Sequence, residues 1–96
     1  MKKSITKLHL LISGRVQGVS FRINTKRKAD TLGIKGWVKN SPEGTVEAKI
    51  IGEKSNIDKM LAWLKKGPFF AKVNNVEILS KKTIKKTPCA SFEVKR

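Results

Sequence analysis

The feature that most narrows the fold is the order in which two hydrophobic periods follow each other along the chain. Residues 7–13 (KLHLLIS) put Leu8, Leu10 and Ile12 on one side of an extended segment, the two-residue period of a half-buried strand, and Gly14 ends it. From residue 21 to 32 the period changes. Phe21, Thr25, Lys28 or Ala29, and Leu32 recur at three- to four-residue steps, the Lys28 stem lying along the apolar stripe, and Gly33 supplies a helix stop. This predicts a weakly amphipathic helix with a basic outer face. Residues 36–40 (GWVKN) read as a short strand, 41–44 (SPEG) as a turn, and 45–51 (TVEAKII) as a partner strand with Val46, Ala48 and Ile50 inward. Ser55 followed by Asp58 resembles a capping box, and Ile57, Met60, Leu61 and Leu64 then form a helical stripe that Gly67 and Pro68 terminate. Strand-like alternation returns at 73–79 and again at 91–94.

The resulting order is βαββαβ with one additional short strand-like segment. An α+β, ferredoxin-like sandwich closes that order naturally, with an antiparallel sheet carrying two helices on one face. With 96 residues, the chain has one core to build, so a single domain over residues 1–96 is expected. No apolar run approaches the roughly 18 residues of a membrane span. The basic start followed by Leu8 to Ile12 is too short for a secretory leader and reads as the first strand.

Cys89 is the one cysteine and His9 the one histidine, so neither an intramolecular disulfide nor a metal-ligand cluster is expected, and a reducing, cytoplasmic setting fits. Against 7 Asp and Glu stand 22 Lys and Arg, a formal net charge of +15 that attracts anions of any kind. The sign points to small phosphorylated compounds, nucleic acid or anionic lipid without choosing among them. The lysine run at 81–86 reads as solvated surface.

The segment between first strand and first helix carries the chemistry: Gly14-Arg15-Val16-Gln17-Gly18-Val19-Ser20-Phe21-Arg22. Its two glycines permit the positive φ angles that turn successive backbone N–H groups toward one point, and the helix N-terminus adds unpaired N–H groups and a positive dipole end. An anion nest is the expectation. Arg22 is out of place by dipole logic, since a cation in the first helical turn costs up to about 1 kcal/mol, and a bound anion would reverse that field.

With its preceding Ile12-Ser13, this loop resembles the signature of the acylphosphatase family through all its defining positions. A second family signature follows as Gly36-Trp37-Val38-Lys39-Asn40, then Gly44, Val46 and Gly52, while Ala29, Leu32 and Gly33 sit where the family usually has them. The resemblance covers nearly the whole chain and fades after about Leu64. It implies the ferredoxin-like fold and the hydrolysis of a carboxyl–phosphate anhydride to a carboxylate and inorganic phosphate, with no metal, cofactor or covalent intermediate. It also implies roles: Arg22 as the phosphate-gripping residue, Asn40 as the residue that positions water, and backbone N–H groups of Val16, Gln17, Gly18, Val19, Ser20 and Phe21 as the phosphate cradle. Ser20 is expected to cap the helix and Ser41 to steady the turn. Trp37, Trp63, Phe69 and Phe70 are assigned to packing, and His9 to a structural place on a strand face.

Two other readings compete. The same fold hosts RNA-recognition domains, but these stack bases on aromatic residues of the first and third strands, where KLHLLIS and TVEAKII have none. No specific nucleic-acid partner and no membrane partner are therefore expected. The other is an acyl- or carbamoyl-phosphate-binding domain within a larger assembly, as in hydrogenase-maturation proteins. With no attached domain, a freestanding monomeric enzyme acting on a small acyl phosphate is preferred.

Overall fold

The computed structural model describes residues 4–18, 20–68 and 71–95. Five strands and two α-helices follow in the order β1 (Ile5–Arg15), α1 (Phe21–Thr31), β2 (Lys35–Asn40), β3 (Val46–Glu53), α2 (Lys54–Lys66), β4 (Lys72–Ile84) and β5 (Phe92–Lys95), with a 3₁₀ turn at Pro42–Gly44 between β2 and β3. The sheet order is β4-β1-β3-β2-β5. β1 pairs antiparallel with β3 and β4, and β2 antiparallel with β3.

The expected ferredoxin-like arrangement is present, with one difference: β5 runs parallel to β2, so the sheet is mixed. The chain crosses from β4 at one edge to β5 at the other, and Phe92, 1% exposed, is the anchor that holds so short a strand there.

Alternation dictates which side of the sheet is dry. Leu8, Leu10 and Ile12 face Ile50, Ala48 and Val46 across the β1–β3 ladder. All six are buried in one cluster with Phe21 and Ala29 of α1 and Ile57, Met60 and Leu64 of α2. Both helices therefore cover the same face, and each buried Leu or Ile contributes about 1.5–3 kcal/mol of apolar burial.

Three local expectations change. β4 runs to Ile84 instead of ending near Leu79, taking Lys81 and Lys82 into pairing with Leu8 and Lys7. An edge strand needs backbone partners on one side only, and charged side chains suit it because they discourage further pairing. α2 begins at Lys54, so Ser55 lies inside its first turn and no side chain of the N-cap residue closes it. Instead, Lys54 pairs with Asp58 at 2.9 Å, one turn on. Trp63 packs against the core as expected, whereas Trp37 is half-buried on the opposite, open face of the sheet. Phe69 and Phe70 lie outside the described residues.

Candidate active site

Val16 and Phe21 are each 1% exposed, so the core pins both ends of the segment that joins β1 to α1. The Phe21 ring also leans on Trp63 of α2, with centroids 6.3 Å apart. In this segment Gly18 has φ +74° and Ser20 has φ +57°. Left-handed residues spaced along a loop turn neighbouring N–H groups to a common side, the geometry of an anion nest. For Ser20, which has a Cβ, this conformation costs about 1–2 kcal/mol. Strain of that kind persists where the surrounding structure imposes it, often at a functional site. Val19 lies outside the described residues.

Two details of the loop differ from expectation. Gly14 belongs to β1 instead of the cradle: it pairs with Val73 beside a register shift, and a Cβ there would meet the Lys72 carbonyl oxygen at 2.1 Å. Its glycine serves a close strand approach. Ser20 stands at the N-cap position without a side-chain cap, because that bond requires an extended backbone and Ser20 is left-handed. Its carbonyl instead accepts from the Asn24 amide nitrogen at 3.0 Å and from Asn24 Nδ2 at 2.8 Å.

Arg22 sits in the first turn of α1, and its Nη1 donates to the Lys95 carbonyl on β5 at 2.8 Å. β5 thus seats the guanidinium at the mouth of the loop. Asn40 ends β2 in register with Val46, on the helix-covered side of the sheet. Its Oδ1 is buried and has no hydrogen-bond partner among the described residues. Arg22, Asn40, Val16, Gly18, Ser20 and Phe21 line one pocket of about 110 Å³, with Ile23 and Val94 forming an apolar side. The first and second sequence motifs, far apart along the chain, meet there.

The Gln17 side chain points instead to the β2–β3 turn. Nε2 donates to the Ser41 carbonyl at 2.9 Å and to the Thr45 carbonyl at 2.7 Å. Thr45 O also accepts from the Ser41 amide at 2.8 Å, closing the turn. One amide therefore fastens the loop to the residues that follow Asn40. From sequence Gln17 is a backbone donor only; the signal for its side chain is a polar group next to buried Val16, which must find partners. Lys95 and Val94 carried no signal, because pairing of β5 with β2 brings them to the site.

On the far face, Glu47 is bonded to His9 and lies 3.8 Å from Lys39, with Ser41 Oγ donating to it at 3.4 Å. Burial pushes the Glu47 carboxyl up, but the His9 hydrogen bond, the charges of Lys39 and His9, and the Ser41 bond together hold it below the usual carboxylate range. Among the described residues no group of three or more His, Cys, Asp and Glu is placed to hold a metal ion. No helix of the described residues is long and apolar enough to cross a membrane.

Two left-handed loop residues, an arginine and an amide oxygen without a partner among the described residues thus share one small pocket of a ferredoxin-like sandwich. The family model for acylphosphatase matches residues 8–94, well beyond Leu64, where the resemblance to the motifs fades. The chain belongs to the acylphosphatase family. It is 46% identical over 78 residues to an acylphosphatase of Acaryochloris marina, covering 81% of this chain and 84% of that one. An acylphosphatase of Thermococcus kodakarensis is 47% identical over 72 residues, 75% of this chain and 79% of that one. The structure of an acylphosphatase from Coxiella burnetii superposes with a TM-score of 0.84 at 37% identity, covering 99% of both chains.

Proposed function

We propose that residues 16–22 hold the phosphoryl group of an acyl phosphate while Asn40 holds the water that attacks it. The overall reaction is that of the family: the chain is a hydrolase acting on carboxyl–phosphate anhydrides. The observation that carries the reading is Asn40 Oδ1, a buried acceptor without a hydrogen-bond partner among the described residues, which shares its pocket with Arg22 and the cradle. Leaving such an acceptor unsatisfied costs about 1–3 kcal/mol, and a water that donates to it removes the cost.

In this mechanism the cradle N–H groups and the Arg22 fork hold the phosphoryl oxygens as charge redistributes. Charge-assisted bonds of that type contribute about 1.5–3 kcal/mol each. The water donates one O–H to Asn40 Oδ1, which aims its oxygen lone pair at phosphorus opposite the acyl oxygen. The new O–P bond forms as the P–O(acyl) bond breaks, the carboxylate leaves with the electron pair, and the water's proton passes to a phosphoryl oxygen. An amide is too weak a base to take that proton, so Asn40 acts by alignment. A carboxylate leaves readily and the transition state is loose, so electrostatic stabilisation and alignment do most of what the reaction requires.

Gln17 is a positioning residue in this scheme. Its two bonds hold the phosphate loop at a set distance from the turn that carries Asn40, so water and phosphorus keep their alignment. Arg22, Asn40 and the cradle come from one chain, which makes a monomer competent, and the enzyme works in the cytoplasm without metal or cofactor.

The test is hydrolysis of benzoyl phosphate in EDTA, with inorganic phosphate as inhibitor. Activity should survive chelation and phosphate should compete with substrate. Arg22→Ala should lose about 10- to 100-fold in kcat/KM, with Arg22→Lys recovering only part because an ammonium lacks the planar fork. Full activity of Arg22→Ala, or noncompetitive inhibition, would overturn the assignment.

A further inference from the structure

Opposite the active site, the open face of the sheet carries an unusual grouping. Trp37 lies in the middle strand of the β3-β2-β5 trio, opposite Lys49 on β3 and Glu93 on β5. Three ammonium groups stand over its ring, Lys95 at 5.1 Å, Lys39 at 5.2 Å and Lys49 at 5.7 Å from the centroid. His9 meets the same ring edge-on at 5.8 Å. Glu47 engages His9 and Lys39, which leaves Lys49 and Lys95 as the cations free of that pairing.

We propose that this face binds single-stranded nucleic acid, with a base stacked on Trp37 and flanking phosphates on Lys39, Lys49 and Lys95. An aromatic ring accepts any base, and a positively charged surface around it tracks the backbone, so such a site is tolerant of sequence. Three like charges gathered over one ring repel each other, and phosphates that draw the ammonium groups aside relieve that repulsion and uncover the ring. The formal charge of +15 supplies the long-range attraction. The absence of aromatic residues from β1 and β3 removes the usual base-reading positions but leaves this one on β2. An anionic membrane is the poorer match, since the ring is half-buried and a bilayer favours apolar side chains that project into it.

The two tryptophans allow a direct readout: in a Trp63→Phe background Trp37 is the sole indole. Titration with oligoadenylate at low salt is expected to quench its fluorescence. The binding constant should fall with salt with a log–log slope of about −2, the value for three phosphates released from single strands. Trp37→Leu should weaken binding about tenfold, in line with loss of one stacked base. Lys49→Gln should flatten the slope by about a third, one phosphate contact of three, and Glu93→Gln should strengthen binding. Hydrolysis of benzoyl phosphate by each variant should match the parent, which also shows that it has folded. Absence of quenching, equal competition by inorganic polyphosphate with no effect of Trp37→Leu, or tighter binding to phosphatidylserine vesicles would each overturn the proposal.

Discussion

Replacing Asn40 by alanine separates a residue kept for catalysis from one kept for the fold. The side chain buries an acceptor that no described group satisfies. With a water donating to that acceptor its cost is already met, so the truncation gives up little beyond that water and some van der Waals contact. The stability of Asn40→Ala is therefore expected to lie within about 1 kcal/mol of the parent, a Tm change of no more than ~4–8 °C for a domain of this size. Activity should move far more. Without Oδ1 the attacking water is free to wander by an ångström or so, and a misplacement of that size costs on the order of 100-fold, about 2.7 kcal/mol in the transition state. Because the phosphoryl group is gripped by other residues, the loss should appear in kcat with KM within about threefold. Thermal unfolding and benzoyl phosphate kinetics on one preparation decide the matter. A variant that keeps its kcat, or one that melts far below the parent, would refute the argument.

Gln17→Ala removes two hydrogen bonds at about 0.5–1.5 kcal/mol each and loosens the loop from the turn. It should lower Tm and reduce kcat more than it raises the inhibition constant of phosphate, a split that a purely structural residue would not produce. Gly14→Ala drives a Cβ into the Lys72 carbonyl, and the resulting shift of β1 against β4 should destabilise the protein by several kcal/mol, read by urea unfolding. The Glu47 carboxyl titrates lower in the folded chain than in the unfolded one, so its contribution to stability is complete above the unfolded value and disappears as pH falls through the folded one. Unfolding free energies measured from pH 7 down to acid should thus fall less steeply for Glu47→Gln than for the parent.

Much of this molecule could be read from residue order. Leu8, Leu10 and Ile12 announced β1, and Ile57, Met60 and Leu64 announced the buried side of α2, because burial on one side imposes a period. The lysine-rich half of β4 was invisible for the opposite reason: an edge strand in solvent has backbone pairing without an apolar rhythm. At the site, Arg22 and Asn40 were legible as motif positions, and the structure brings them to one pocket. What could not be read was what depends on folding across the chain. Gln17 reaching Ser41 and Thr45, Lys95 seating Arg22, and Trp37 gathering three lysines are side-chain relations between strands distant in sequence. Gly14 misled because two needs for glycine, a left-handed turn and a close strand approach, look identical in a sequence.

The bond from Arg22 to the Lys95 carbonyl joins residues 73 positions apart. That span makes the arginine's seat a late event in folding, since closing a long loop onto a four-residue strand brings little reward until the rest of the sheet exists. Catalytic competence then works as a clock for the docking of β5. In a refolding experiment with Trp37 replaced by Leu, the fluorescence of Trp63, which packs against Phe21, is expected to reach its final value before hydrolysis returns, and the lag between the two signals measures how long the chain stays folded but inactive.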